Sequence, residues 1–230
     1  MFVSIPARKK SSLRWATPTL FVLLWAAFLW LLMQPEPSHS RLLRDWGALS
    51  GELASPSAWW SDLQDGNVWR LFTALFLHAD WAHLLGNLVF LLIFGLPSER
   101  AMGAWRFLLL FLLGGAVANL AAVLSIGAPD RVIIGASGAV SAVIGAYLAL
   151  FPSAKLGVVL PLGLFLEFVK APASLLIGIW ALLQVVFAYI GPAFGAVAWS
   201  AHIAGLLFGI IFALFIRAAL VRRMRKQRGY

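Results

Sequence analysis

Apolar runs separated by short polar breaks dominate the chain. Six of them approach the length of a bilayer crossing: about Trp15–Met33, Trp81–Leu96, Phe107–Ile126, Val132–Phe151, Ala173–Ile190 and Trp199–Leu220. A helix crosses the hydrocarbon layer in about 20 residues, so each run predicts a transmembrane helix. The first run follows a basic start, as a signal peptide does, but Met33-Gln34-Pro35-Glu36 offers no small-residue cleavage site, and the expectation is a retained helix. Between the first two runs, residues 34–80 hold Trp46, Trp59, Trp60 and Trp69. Tryptophan favours the headgroup level, which predicts a compact loop with short helices lying partly in the outer interface. Leu156–Leu166 is apolar but too short to cross and contains Pro161. It is expected to be interfacial, re-entrant or strand-like.

The distribution of charge orients this pattern. Six spans put both tails on one side. Of the 18 Lys and Arg, only Arg41, Arg44, Arg70 and Arg131 fall in the loops of the other side. Seven of the nine acids fall there: Glu36, Asp45, Glu52, Asp62, Asp65, Asp80 and Asp130. The positive-inside rule then places both termini in the cytoplasm. A seventh span at Leu156–Leu166 would move the final cluster of cations outside, against that rule.

Composition agrees. The 230 residues are 62% hydrophobic and only 12% charged, against about 25% charged in soluble domains. The fold class is therefore all-α and membrane-embedded: a six-helix bundle at 15–220, between basic tails at 1–14 and 221–230, with a large, partly embedded first loop. The absence of cysteine removes a thiol nucleophile, a thiolate metal site and any disulfide. The net charge of +9 lies in the tails and tail-side loops, so it reports topology and predicts no nucleic-acid partner.

Against this apolar background a few polar groups stand out. Ser137 sits among small residues in Gly135-Ala136-Ser137-Gly138, six positions past Arg131. At ~1.5 Å per helical residue that puts it about 9 Å below the outer surface. His202 lies three positions past Trp199, and His83 and Asn87 lie three and seven past Asp80. All three spans start from the outside, so the four groups share one layer. His83 and Asn87, four apart, share a helical face. His202 tops a stripe with Gly205 and Gly209, and Gly138, Ala142 and Gly145 form a matching stripe beside Ser137 and Ser141. Small-residue stripes let helix backbones approach closely in a bilayer, which predicts contact between the fourth and sixth spans with Ser137 meeting His202. A serine or histidine at such a place also serves as a packing or hydrogen-bonding group. Ionisable groups inside a membrane are nevertheless costly and point to function by default. The chemistry expected is serine hydrolysis: His202 as the base that activates Ser137, and an oxyanion held by the Ser137 backbone N–H, Asn87 and His83. The apolar runs supply no Asp or Glu, so a Ser–His dyad is expected rather than a triad. His78 is read as interfacial and structural, and His39 as uninformative. No cofactor and no metal are expected.

These motifs resemble those of the rhomboid intramembrane serine proteases. Gly135-Ala136-Ser137-Gly138 resembles the family's GxSG. Ala201-His202-Ile203-Ala204-Gly205 with Gly209 resembles AHxxGxxxG in its sixth helix, and His83 with Asn87 resembles HxxxN in its second. Trp69-Arg70 resembles its first-loop WR pair, and Glu99-Arg100 with Gly103 and Arg106-Phe107 its turn into the third helix. The likeness covers about residues 69–215. It implies a six-helix core that cleaves transmembrane protein substrates near the outer surface, after they come in laterally from the bilayer lipids past the fifth helix, here at Trp180 and Phe187. It also implies an integral multi-pass protein of a bacterial inner membrane, with the site opening to the extracytoplasmic side. Ser137 and His202 would be catalytic, with Asn87 and His83 lining the oxyanion hole. Ser141 stands where many members carry a tyrosine stacked on the histidine. That leaves His202 to be oriented by the Ser141 hydroxyl or by an aromatic on another helix.

Other chemistries fit less well. A zinc protease needs HExxH, and His78-Ala79-Asp80-Trp81-Ala82-His83 does not provide it. An aspartyl protease needs membrane-embedded aspartates. A soluble hydrolase elbow needs GxSxG, and position 139 is Ala. A transporter would show internal repeats. A catalytically weak or idle relative that binds transmembrane clients is the alternative from another class.

Overall fold

A computed structural model of the chain describes residues 14–50, 64–126, 131–162, 165–190 and 198–228. Eight helices are described: α1 (Ala16–Leu32), α2 (Ser38–Trp46), α3 (Asn67–Thr73), α4 (Trp81–Met102), α5 (Ala104–Ser125), α6 (Ser137–Leu150), α7 (Ala173–Ile190) and α8 (Trp199–Arg228). Two short strands, β1 (Ala48–Leu49) and β2 (Val132–Ile133), pair antiparallel, and β3 (Lys155–Leu162) and β4 (Phe165–Pro172) form a hairpin. Among the described residues, three helical stretches are long and apolar enough to cross a membrane: α4, α5 and Trp199–Arg217 of α8. Ala16–Leu32, Ser137–Leu150 and Ala173–Phe187 are shorter apolar helices.

The short α6 is the axis of the molecule, with ten residues from Gly138 to Tyr147 buried in succession. Small residues let its neighbours close on it. A Cβ added at Gly114 of α5 would overlap Ala142, and one at Gly138 would overlap Ala118 of α5. On the other side, a Cβ at Gly205 or Gly209 of α8 would overlap the Gly138 or Ala142 carbonyl, and one at Gly145 the Leu206 carbonyl. The matched stripes expected from the spacing are therefore in backbone contact.

Helix boundaries follow local chemistry. Gly103, at φ 89°, separates α4 from α5, so the turn expected around Glu99 and Arg100 is helical and the third helix begins at Ala104. Pro97 lacks the N–H that would bond back to the preceding turn, and a π-helical turn at Leu91–Gly95 absorbs the mismatch. The buried Glu99 carboxylate accepts the Ala16 and Thr17 N–H groups, each at 2.9 Å, and so caps α1 across 83 residues of chain. An anion at a helix N-terminus is favourable for both hydrogen bonding and the helix dipole.

The first loop holds the short helices anticipated for it, α2 and α3. The Thr73 hydroxyl donates to the Trp46 carbonyl (2.6 Å), and Asn119 of α5 donates to the Leu71 carbonyl (2.8 Å). Trp59 and Trp60 lie outside the described residues, as do residues 1–13 of the first tail, the turn at 127–130 and the break at 191–195. Of the three forms expected for Leu156–Leu166, the strand is the one found: the hairpin pairs from Lys155↔Pro172 to Leu162↔Phe165. The last helix does not stop near Leu220 but continues to Arg228, because nothing from Val221 to Arg228 breaks it.

Candidate active site

The fourth apolar run becomes helical only at Ser137, five residues later than the sequence pattern indicated. Val132-Ile133-Ile134 is a β-branched run whose first two residues are extended, and Gly135 then adopts φ 111°, a left-handed conformation closed to most side chains. β2 is pinned by β1, by Ser50 N–H on the Arg131 carbonyl (2.9 Å) and by Gly135 N–H on the Ala74 carbonyl (2.9 Å). The count of six helical residues from Arg131 to Ser137 is thereby corrected: that segment is β2 followed by a turn at Ala136, and Ser137 occupies the first turn of α6. A Cβ at Gly135 would also run into the His83 imidazole, so the glycine makes room for that ring as well.

Ser137 meets His202 from α8, whose ring Nε2 lies 2.9 Å from the serine Oγ. The two half-buried side chains come from helices joined by the stripe of close backbone contacts. The other ring nitrogen, Nδ1, lies 2.6 Å from Oε1 of Gln184 on α7. Trp180 stacks on the imidazole (centroids 6.3 Å, 30°), and Trp199 meets it edge-on (5.9 Å, 87°). Phe187 in turn stacks on Trp199 (5.0 Å). Of the two means anticipated for orienting His202, the aromatic one is present. The Ser141 hydroxyl is used elsewhere, donating to the Ser137 carbonyl (2.7 Å).

The third group comes from α4. Asp80 caps this helix by accepting the His83 N–H (2.8 Å). One turn on, the buried Asn87 amide donates to the His83 carbonyl (3.0 Å) and to Nε2 of His78 (3.1 Å). His78 also faces the Ala136 N–H at 3.4 Å and packs edge-on against His83 (5.0 Å). The fold thus brings His78 into the site, which its position ahead of the helix gave little reason to expect. Burial, followed by the neighbouring His83 ring, lowers its pKa to about 4.

Two cavities meet at Ser137 and His202. One, of about 530 Å³, runs from the end of the bundle bearing Asp80 and Arg131, along Ile134 and Gly135, to the pair. The other, of about 280 Å³, lies between α4 and α7 and is lined by His83, Gly86, Asn87, Phe90, Trp180 and Gln184. The hydroxyl, the imidazole and the amide donor therefore border a common space. No cluster of three metal-ligating groups occurs among the described residues. Gln184 belongs to none of the sequence motifs, yet it carries a signal of its own: it is the only amide or charged side chain from Leu175 to Ile190.

Comparison with known proteins bears on the same stretch. Residues 65–219 match a family model described as Rhomboid domain. The chain is 34% identical over 129 residues to the putative rhomboid protease YdcA of Bacillus subtilis (strain 168), covering 56% of this chain and 59% of that protein. It is 32% identical over 107 residues to RHOMBOID-like protein 5 of Arabidopsis thaliana, covering 46% and 32%. It is 40% identical over 82 residues to Rhomboid-like protease 3 of Toxoplasma gondii, covering 36% and 30%. Each match spans less than two-thirds of the relative. The matched region contains every side chain around Ser137 and His202 described above, and on this footing the chain is an integral membrane protein that belongs to the rhomboid family.

Proposed function

We propose that this protein is an intramembrane serine endopeptidase that cleaves peptide bonds in or near the transmembrane segments of other proteins. The observation that carries the reading is the 2.9 Å approach of Ser137 Oγ to His202 Nε2 at the junction of two cavities. In the reaction, Ser137 Oγ attacks the scissile carbonyl carbon as its proton passes to His202 Nε2. The tetrahedral oxyanion takes hydrogen bonds from the Ser137 backbone N–H, the Asn87 amide and His83. Asn87 has both amide hydrogens engaged at rest, so it exchanges its bond to His78 for the oxyanion. The imidazolium then gives its proton to the departing amine. Water hydrolyses the acyl-enzyme by the same steps with the base regenerated.

In this reading the chain crosses the bilayer six times, at α1, α4, α5, α6, α7 and α8. The fourteen residues of α6 measure ~21 Å at 1.5 Å per residue, less than a hydrocarbon layer of about 30 Å. A helix enclosed by other helices need not reach both surfaces. Its first residue then lies below the boundary, where the larger cavity supplies water. The charge bias sets both termini in the cytoplasm and the cavity mouth on the extracytoplasmic side. The space between α4 and α7 is the lateral way in from the lipid for a substrate helix.

The test is cleavage of a reporter with a single helix-destabilised transmembrane segment in proteoliposomes. Wild type should cut it, whereas Ser137→Ala and His202→Ala should not. Equal cutting by all three overturns the assignment. A wild-type protein that binds the reporter without cutting it is the idle client-binding relative.

A further inference from the structure

We propose that Gln184 is a positioning residue for His202: its side-chain carbonyl holds the proton on Nδ1 and so keeps Nε2 free to accept from Ser137. The inference rests on the function proposed above and adds a member to the site that the sequence motifs omit.

A neutral imidazole has one N–H donor and one acceptor nitrogen, and the hydrogen bond at one nitrogen fixes the role of the other. Oε1 of Gln184 lies 2.6 Å from Nδ1. An amide oxygen only accepts, so Nδ1 carries the hydrogen and Nε2 presents its lone pair to the Ser137 hydroxyl at 2.9 Å. With the opposite tautomer, a hydrogen on Nε2 would point at Ser137, and the base would be unable to take the serine proton. A Gln184 amide turned end for end would set N–H groups against Nδ1 and favour that non-productive tautomer. A hydrogen on Nδ1 thus goes with the amide as it stands, its oxygen toward the ring.

The setting makes this a committed interaction. Gln184 is only 6% exposed, on a helix whose Leu175, Ile179, Leu182, Val185 and Val186 are exposed to the outside. Placing an amide in such a helix costs free energy unless it is hydrogen-bonded. Trp180 lies one helical turn before Gln184 and stacks on the same imidazole. One face of α7 thus fixes both the plane of the ring and its proton. The nucleophile and the base come from α6 and α8, and the group that orients the base comes from a third helix. Unlike a carboxylate, an amide sets the tautomer without adding a charge to the membrane interior.

Three variants and one measurement on the wild type test this. Gln184→Leu keeps the size of the side chain and removes the acceptor. Its kcat should fall by about 10- to 100-fold with KM unchanged and the fold retained, since loss of tautomer control acts on the chemical step. Gln184→Glu should restore turnover and move the acid limb of kcat/KM to higher pH, because a carboxylate stabilises the imidazolium. Gln184→Asn, one methylene short, should resemble the leucine variant. In ¹⁵N-histidine spectra of the wild-type protein, the resonance missing from His202→Gln should report a protonated Nδ1 and a bare Nε2. Wild-type kcat in Gln184→Leu, or a protonated Nε2 in the neutral wild-type enzyme, overturns the proposal. Should the leucine variant unfold, the spectrum decides alone. Should Ser137→Ala cleave as well as wild type, the protease reading fails, while the tautomer is still read directly.

Discussion

Substitution of Gly209 by alanine tests how closely the site depends on the contact between α6 and α8. A Cβ built at Gly209 falls inside the shell of the Ala142 carbonyl, 2.6 Å from its carbon and 2.9 Å from Ala142 Cα, where ordinary contacts begin at 3.4 Å. The obstacle is backbone within a buried helix and has no rotamer to change. The helices must part by on the order of 1 Å, since the repulsive wall is steep. Overpacking of this kind costs about 1–3 kcal/mol, and the upper end applies because a main-chain carbonyl cannot yield. His202 lies seven residues before Gly209 on the same helix, so a rigid shift carries it away from Ser137. A 2.9 Å contact lengthened by that amount is no longer a hydrogen bond, and a displacement of about 1 Å at a reacting centre costs about 100-fold in rate. The assay is thermal unfolding in detergent beside turnover of the reporter. Gly178→Ala is the control: a Cβ there meets nothing within 4 Å, and the change should be neutral or stabilise by about 0.5–1 kcal/mol, as an exposed helical glycine allows. A Gly209→Ala protein that unfolds and turns over like the Gly178→Ala control would refute the packing argument.

Asn87→Ala should lower kcat by about 10²–10³-fold, the usual cost of one oxyanion donor, without loss of the fold; unchanged turnover would remove Asn87 from that role. Glu99→Gln should destabilise by about 2–4 kcal/mol, since one of the two N–H groups of α1 loses a charged acceptor and meets a donor instead. Thermal unfolding checks it, and a wild-type midpoint would mean that α1 does not depend on this cap. Stability should also fall as the pH drops. His78 takes a proton near pH 6.5 in the unfolded chain but only near 4 in its buried place. Its contribution is therefore whole above about 6.5 and is lost toward 4, at up to about 1.4 kcal/mol per pH unit. His78→Gln should flatten the unfolding profile across that window, and an unchanged slope would contradict the burial argument.

The parts of the site that were legible in the sequence share a physical property: each declares its own face. His202 stands over Gly205 and Gly209, and Ser137 beside Gly138, Ala142 and Gly145. Two stripes of small residues at helical spacing in an apolar chain have few better uses than contact with each other. His83 and Asn87 are tied by their own four-residue spacing. Where the structure departs from the pattern, the deciding interaction comes from a remote segment. The helix at Ser137 starts late because Ala48–Leu49 pairs with Val132–Ile133, over eighty residues away in the chain, and apolar periodicity does not register such pairing. Glu99 reads as part of a polar turn until the start of α1 is set against it. Gln184 is the sharpest case. A single amide in an apolar helix has no second polar position to define a face, so its spacing says nothing about direction. Its rarity marks it, and its meaning comes only from the neighbour it meets. A lone polar residue in an apolar helix therefore needs to be judged by the unsatisfied group it would find on a neighbouring helix. Here that group is the free ring nitrogen of a histidine whose other nitrogen is already engaged by a serine.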